Sequence, residues 1–357
     1  MRRSRQAAPR AAHAALVIGG LLLLAVPRTD ALGAPPPVLT PRTFVDLVRS
    51  QRSVVVGISV ALAAQQQTPR LPPDHPLLPQ EEGNPEPSSV GTGLLIDANG
   101  LVLTNNHVLD QGAQVSVTTW EGDQFDAVIV GRDPKADLAL IRLKPKPGQP
   151  TAFPAARLGD SDAAEVGEWV AAIGNPFGLD QTLTVGILSG KGRALGNSPY
   201  EEYLQTDASI NPGSSGGPLF NISGEVIGLT TAMNPSGQGI GFAIPINQIK
   251  VLLPQLLQGK VRRGWIGVMI QNPPEAPTEN GRGAGVLITD VMDDSPAAAA
   301  GLLRGDIILE FDGAPVAHVR DLPRRVAVTA IGKSVAVKLL RRSKPMTVTI
   351  TVGELKD

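Results

Sequence analysis

Asn211-Pro212-Gly213-Ser214-Ser215-Gly216-Gly217-Pro218 is the stretch on which the reading of this chain turns. A serine hydroxyl is a weak nucleophile until a neighbouring base takes its proton. The oxyanion made by its attack has to be received by fixed backbone N–H groups. A turn dense in glycine lets such groups converge and lets a peptide come close. Taken alone, the octapeptide also fits an ordinary glycine-rich turn, so residues elsewhere decide. Two serines compete within it. If Gly213 and Ser215 supply the oxyanion donors, Ser214 falls between them with its side chain turned away, and Ser215 is the nucleophile.

A base that works near neutral pH is a histidine, and the chain has four. His13 lies in the N-terminal apolar region, His75 in a proline-rich segment and His318 in the C-terminal unit. His107 alone ends a strand-like run, Leu103-Thr104-Asn105-Asn106-His107-Val108. The orienting carboxylate is sought between base and nucleophile, where Asp133-Pro134-Lys135-Ala136-Asp137-Leu138-Ala139-Leu140 offers two. Asp133 precedes a proline and reads as a turn residue. Asp137 opens an apolar strand, where a half-buried carboxylate can hold one histidine tautomer and stabilise the imidazolium. The order His, Asp, Ser is the chymotrypsin order, whereas hydrolases with an elbow serine place Ser first. This chemistry needs neither metal nor cofactor.

The surroundings are β-rich. Short apolar runs (Gly93–Ile96, Leu101–Leu103, Val115–Thr119, Ala127–Val130, Leu138–Leu143, Trp169–Ile173, Gly186–Ser189, Gly217–Phe220, Val226–Thr230) alternate with turn residues, the spacing of a sandwich or barrel. A further strand is expected at Val54–Val60, after a short helix at Arg42–Ser50. Ile249, Leu252, Leu253, Leu256 and Leu257 give Asn247–Leu257 a helical stripe, with a kink or split expected at Pro254. From Val261 a smaller mixed α/β unit follows. Its strands are expected at Trp265–Ile270, Gly285–Val291, Ile307–Phe311, Ser334–Leu340 and Thr347–Val352, and its helices at Pro296–Gly301 and Asp321–Val328.

Bulk properties agree with this division. A chain of 357 residues is too long for one compact core. Its net charge of −1 and lack of a basic stripe argue against nucleic acid as a partner. With 39 glycines, 32 prolines and 3% aromatics, turns and short strands are favoured over long helices. The absence of cysteine excludes disulfides, thiol nucleophiles and cysteine-based metal sites. Met1–Arg10 holds four arginines and no acid, and the apolar run Ala14–Val26 precedes small residues around Ala31–Ala34. That run is shorter than the roughly 20 residues a spanning helix needs. It reads as a signal peptide, with a retained membrane anchor as the alternative. Either way the remainder is exported, and the cysteine-free composition leans towards a bacterial periplasm or cell envelope. The expected divisions are 1–34 (signal or anchor), 35–89 (linker, first strand and a long Pro/Gln/Glu-rich loop over Gln65–Ser89), 90–258 with the strand near 54–60, and 261–355.

These residues resemble the HtrA (Deg) family of serine proteases. The resemblance rests on Thr104-Asn105-Asn106-His107-Val108, Asp137-Leu138-Ala139-Leu140, and Thr206 to Leu219 around the serine. Gly174-Asn175-Pro176-Phe177-Gly178 and Gly239-Ile240-Gly241-Phe242-Ala243-Ile244-Pro245 also match. One departure is Ser214, where the family usually has asparagine. The resemblance implies a mainly β fold, a chymotrypsin-like double β-barrel followed by a PDZ domain, with the site in the cleft between barrels. It implies a pocket lined by Ile210 and Met233 for small aliphatic side chains, and a regulatory loop around Leu188–Asn197 with Arg193 as signal relay. Gly264-Trp265-Ile266-Gly267-Val268 resembles a PDZ carboxylate-binding loop, so Trp265, Ile266, Gly267 and Val268 are the expected contacts for a peptide C-terminus added as a strand. The implied partners are unfolded or regulatory protein substrates and two further copies of the chain in a homotrimer. The implied role is a quality-control endopeptidase working through an acyl-enzyme. Two rivals stay open: a holdase or adaptor that only binds, and a hydrolase confined to esters.

Overall fold

The computed structural model describes residues 40, 42–61, 89–110, 114–175, 181–196, 198–233, 239–273 and 285–356, with backbone alone at 232 and 233. The expected signal segment and nearly all of the loop Gln65–Ser89 lie outside them. The chain enters through helix α1 (Thr43–Gln51) and a 3-10 turn at Arg52–Val54.

Six antiparallel strands close a first barrel: β1 (Val55–Ala61), β2 (Ser89–Leu95), β3 (Leu101–Thr104), β4 (Gln114–Thr118), β5 (Gln124–Asp133) and β6 (Leu138–Lys144), in the order β1-β2-β3-β6-β5-β4. Six more close a second: β7 (Trp169–Gly174), β8 (Thr182–Arg193), β9 (Tyr203–Thr206), β10 (Pro218–Asn221), β11 (Val226–Met233) and β12 (Gly241–Pro245), in the order β10-β11-β12-β9-β8-β7. β1 shows how the pattern makes the structure. Its Val56, Ile58 and Val60 alternate inward and are fully buried, as a half-buried strand demands. One apolar cluster runs from the first barrel into the second through Ile173, Phe220, Leu229 and Ile244, so the two barrels share a core along their seam.

Helix α2 (Ile246–Leu256) buries Ile246, Ile249, Leu252 and Leu256 against that core. Pro254 does not split it, because the proline sits in the last turn, where the helix is about to end. The C-terminal unit has its own core. It comprises β13 (Gly264–Trp265), β14 (Val268–Gln271), β15 (Val286–Val291), α3 (Pro296–Ala299), β16 (Ile307–Phe311), β17 (Ala314–Pro315), α4 (Asp321–Val328), β18 (Ser334–Arg341), β19 (Lys344–Thr351) and β20 (Gly353–Glu354). Ser295 caps α3 by accepting from the Ala298 N–H (3.1 Å), with Pro296 at the first helical position.

Two expectations are corrected. The single strand expected over Trp265–Ile270 is two strands in different sheets, parted at Ile266-Gly267, because Gly267 adopts φ +78°. The segment Leu188–Asn197 is not a loop throughout: β8 runs on to Arg193, its register against β9 shifting at Gly190 and again before Arg193.

The C-terminal unit is tied to the first barrel by a buried charge pair. Both oxygens of Asp133 accept from the Arg263 guanidinium, whose other side lies 4.7 Å from the Tyr200 ring centroid. Asp133 is also the turn residue foreseen from sequence, since Oδ1 accepts the N–H of Lys135 (3.2 Å) and Ala136 (3.3 Å). Removing one partner of such a pair strands a buried charge. Arg263→Ala is therefore expected to destabilise the protein by about 3–5 kcal/mol, and a hydrophobic double replacement, Arg263→Met with Asp133→Leu, by far less. The shift in the urea midpoint measures both, and equal losses would contradict the account.

Candidate active site

His107 follows β3 in a one-turn 3-10 segment, His107–Leu109, which turns the ring out of the first barrel. Asp137 stands at the mouth of β6 in the left-handed region, φ +53°, where aspartate is tolerated better than most residues. That conformation is held from three sides. The Asp137 N–H donates to Pro134 O, its carbonyl accepts from Asn105 Nδ2 (2.9 Å), and its Oδ1 accepts the His107 N–H (3.0 Å). The same carboxylate faces His107 Nδ1, 2.8 Å from Oδ2 and 3.0 Å from Oδ1. Nδ1 thus carries the proton, leaving Nε2 with a free lone pair.

The second barrel supplies the rest. Thr231 on β11 donates its hydroxyl to Asp137 Oδ2 (2.6 Å), and its carbonyl accepts the Ser215 hydroxyl (3.2 Å). No hydrogen bond joins Ser215 Oγ to His107 in this arrangement. Ser214 is buried on the other side, its Oγ near the Asn211 N–H (3.5 Å) and against Gly174.

Backbone hydrogen bonds sort the donors of this loop. The N–H groups of Ser214, Gly216 and Gly217 donate to Asn211 O (2.9 Å), Thr230 O (2.8 Å) and Ser214 O (3.0 Å). Among the described residues, those of Gly213 and Ser215 donate to nothing and are available to an oxyanion. The turn requires glycine at 216. Its φ is +85°, and a β-carbon there would lie 2.1 Å from Thr92 O and 2.3 Å from Thr104 Oγ1.

The other predicted residues fall as follows. Ile210 is buried, and its side chain fills the space beside Gly241, where a β-carbon would meet it at 2.6 Å. Met233 ends β11, paired with Gly241; its side chain lies outside the described residues. Arg193 is an exposed residue at the end of β8 whose Nε donates to Gln205 Oε1 (2.9 Å). In the C-terminal unit β14 is an edge strand, and the N–H groups of Ile266 and Gly267 have no acceptor among the described residues. Trp265 lies in β13 and Val268 opens β14, so the four residues flank a backbone nest beside an open sheet edge.

Three residues of the site were not singled out from the sequence: Thr231, Asn105 and Thr92. The available signal was polar residues inside apolar strands, as at Leu229-Thr230-Thr231, where both threonines are buried.

The Asp137 hydrogen bond, reinforced by the charges of Asp137 and Asp110, raises the His107 pKa above 6.5 against the opposing effect of burial. A base must be neutral, so activity falls as pH drops through that raised pKa. The acid limb of kcat/KM against a peptide substrate is expected to have its midpoint above 6.5. Asp137→Asn should move that limb downwards and cut kcat by about 10⁴. A wild-type midpoint below 6.5, or an unmoved limb in the variant, would overturn the assignment.

Residues 91–229 match the model of a trypsin-like peptidase domain and residues 264–352 that of a PDZ domain. The chain is 40% identical over 292 residues to a probable periplasmic serine endoprotease, DegP-like, of Pseudomonas putida (strain W619), covering 80% of this chain and 60% of that protein. It is 36% identical over 391 residues to a protein of the same description from Brucella suis biovar 1 (strain 1330), covering 97% and 75%. The chain thus spans about 60% of the length of the Pseudomonas relatives. Among solved structures it resembles the HtrA-type protease AlgW with tripeptide, with TM-score 0.73 and 35% identity over 88% of this chain and 98% of that one. It also resembles the serine endoprotease from Yersinia pestis, with TM-score 0.67 and 31% identity over 90% and 100%.

Proposed function

Since this chain belongs to the HtrA (DegP-like) family of trypsin-like serine proteases with a PDZ domain, we propose that it is an exported serine endopeptidase of the bacterial cell envelope. Its substrates are misfolded or regulatory proteins, and its PDZ domain takes peptide C-termini. The observation that carries the reading is the chain of hydrogen bonds from His107 through Asp137 and Thr231 to Ser215, beside two unused backbone donors.

Ser215 Oγ attacks the peptide carbonyl, forming the O–C bond as its proton passes to His107 Nε2. Asp137 stabilises the imidazolium. The N–H groups of Gly213 and Ser215 receive the oxyanion. Collapse breaks the C–N bond, and His107 returns the proton to the leaving amine. Water, deprotonated by the same base, then releases the acid and restores the serine. Ile210 occupies the space beside Gly241, which supports a preference for small aliphatic residues before the scissile bond.

The edge of β14 and the nest at Ile266-Gly267 support peptide capture by strand addition, with the terminal carboxylate on the free N–H groups. An exposed apolar group supports assembly into a homotrimer. Phe44 packs on Trp169 with ring centroids 5.9 Å apart, and Trp169, Val166 and Val45 are 43%, 61% and 44% exposed.

Casein is expected to be cut by the wild type and left intact by Ser215→Ala. Mass spectrometry of the fragments should show small aliphatic residues before the cut. Equal, negligible cleavage by both proteins would favour a binding adaptor, and turnover of a small ester without peptide cleavage would favour an esterase. Phe44→Ala with Trp169→Ala should reduce the sedimenting mass from three chains to one. A wild type that sediments as a monomer would remove the trimer from the proposal.

A further inference from the structure

We infer that Thr92 is a positioning residue of this reaction: its amide and hydroxyl fix the carbonyls that alternate with the oxyanion donors and so aim those donors. The inference rests on the protease reading of the same site.

Thr92 lies on β2 of the first barrel and is completely buried, yet all its polar atoms are engaged. Its N–H donates to Ser215 O (2.8 Å) and its hydroxyl donates to Gly213 O (2.6 Å). The hydroxyl oxygen accepts the Asn175 N–H (2.9 Å), and the Thr92 carbonyl accepts from Thr104 Oγ1 (2.7 Å). The direction of each bond is settled, because an amide N–H only donates and a carbonyl only accepts. The single hydroxyl proton therefore goes to Gly213.

Consider the loop as successive peptide planes. The plane joining 213 and 214 is held at its oxygen by the Thr92 hydroxyl and at its nitrogen by Asn211 O. The plane joining 215 and 216 is held at its oxygen by the Thr92 N–H and at its nitrogen by Thr230 O. Between them, the plane joining 214 and 215 has its carbonyl fixed by the Thr230 hydroxyl (2.6 Å) and the Gly217 N–H (3.0 Å), which leaves the Ser215 N–H pointing out. The Gly213 N–H is likewise unused. Gly213 has φ +93° and no side chain to restrain it, so the Thr92 hydroxyl on its carbonyl is the side-chain restraint on this residue. One residue of the first barrel thus grips both sides of the serine that the second barrel presents.

An oxyanion donor acts in the transition state and not in the ground state, so misaiming it lowers kcat and leaves KM. Thr92→Val keeps the shape and the N–H but removes the hydroxyl. It is expected to lower kcat by about 10²-fold with KM changed less than about threefold. It should weaken a peptidyl boronic acid, which forms a tetrahedral adduct on Ser215, in parallel with kcat. Thr92→Ser restores the hydroxyl and should return kcat to within about threefold of wild type. A Thr92→Val enzyme with wild-type kcat or unchanged boronate affinity would overturn the inference. So would a Thr92→Ser enzyme as slow as an oxyanion-donor variant, a comparison that stands even where the valine protein does not fold. A wild-type chain that neither cleaves casein nor takes a fluorophosphonate at Ser215 sinks the protease reading itself, a result separable from the failure of the Thr92 assignment alone.

Discussion

The carboxylate of Asp137 accepts hydrogen bonds from both barrels, and the site is arranged around it. From its own barrel come the N–H and the ring Nδ1 of His107; from the other comes the hydroxyl of Thr231. A half-buried anion without such donors would be costly, so the barrels have an electrostatic reason to meet here besides their shared apolar seam. Thr231 is the joint. Its side chain reaches Asp137 while its backbone reaches Ser215, so both residues are referenced to one residue of β11. The left-handed backbone at Asp137 is the cost of this arrangement, and Asn105, Pro134 and His107 hold it there.

The same carboxylate decides the strength of the base. Burial alone would depress the His107 pKa, but the hydrogen bond to Asp137 outweighs it. The ring is 47% exposed at the side chain, so desolvation is only partial and the anion prevails. The result is an imidazole with a raised pKa, held in one tautomer by the contact of Nδ1 with Asp137. Beside it, the N–H groups of Gly213 and Ser215 have no acceptor among the described residues.

Much of this was legible in the sequence because it depends on neighbours along the chain. The glycines at 213, 216 and 217 declare a turn that no larger residue could follow, and the apolar runs declare strands. The helix Asp321–Val328 was read with the bounds it has, since its stripe of Leu322 and Val326 is local. What escaped the reading depends on partners far away. Thr92 meets Gly213 across 121 positions and Thr231 meets Asp137 across 94, and nothing in either neighbourhood announces the contact. Asp133 was read correctly as a turn residue, but its second role is set by Arg263, 130 positions on. The break at Ile266-Gly267 was missed for a different reason. Apolar residues on both sides of a glycine read as one strand, and only the left-handed turn at Gly267 separates them into two sheets.

Two polar ties between the PDZ unit and the protease, Arg263–Asp133 and Arg324–Glu202, are of unequal strength, and the inequality has a structural meaning. Arg263 and Asp133 are both buried and meet in a bidentate pair, with the arginine also stacked on Tyr200. This contact lies at the root of the PDZ unit, beside the parallel bridge between Arg132 and Lys260. The second tie, Arg324 of α4 to Glu202 at 2.6 Å, leaves the glutamate side chain 50% exposed. Surface pairs of that kind contribute about 0–1 kcal/mol. Between the two ties lies a cleft of about 520 Å³ walled by Leu204 of β9, Val251 of α2 and α4 residues such as Val328. Among the described residues the buried cores of the protease and of the PDZ unit are separate clusters, and across that cleft the α4 side of the PDZ unit is joined to Glu202 by this exposed pair. The root is held by a pair whose rupture would leave a buried charge. The unit is therefore fastened at its base, next to the turn that ends in Asp137, and only lightly at its far side.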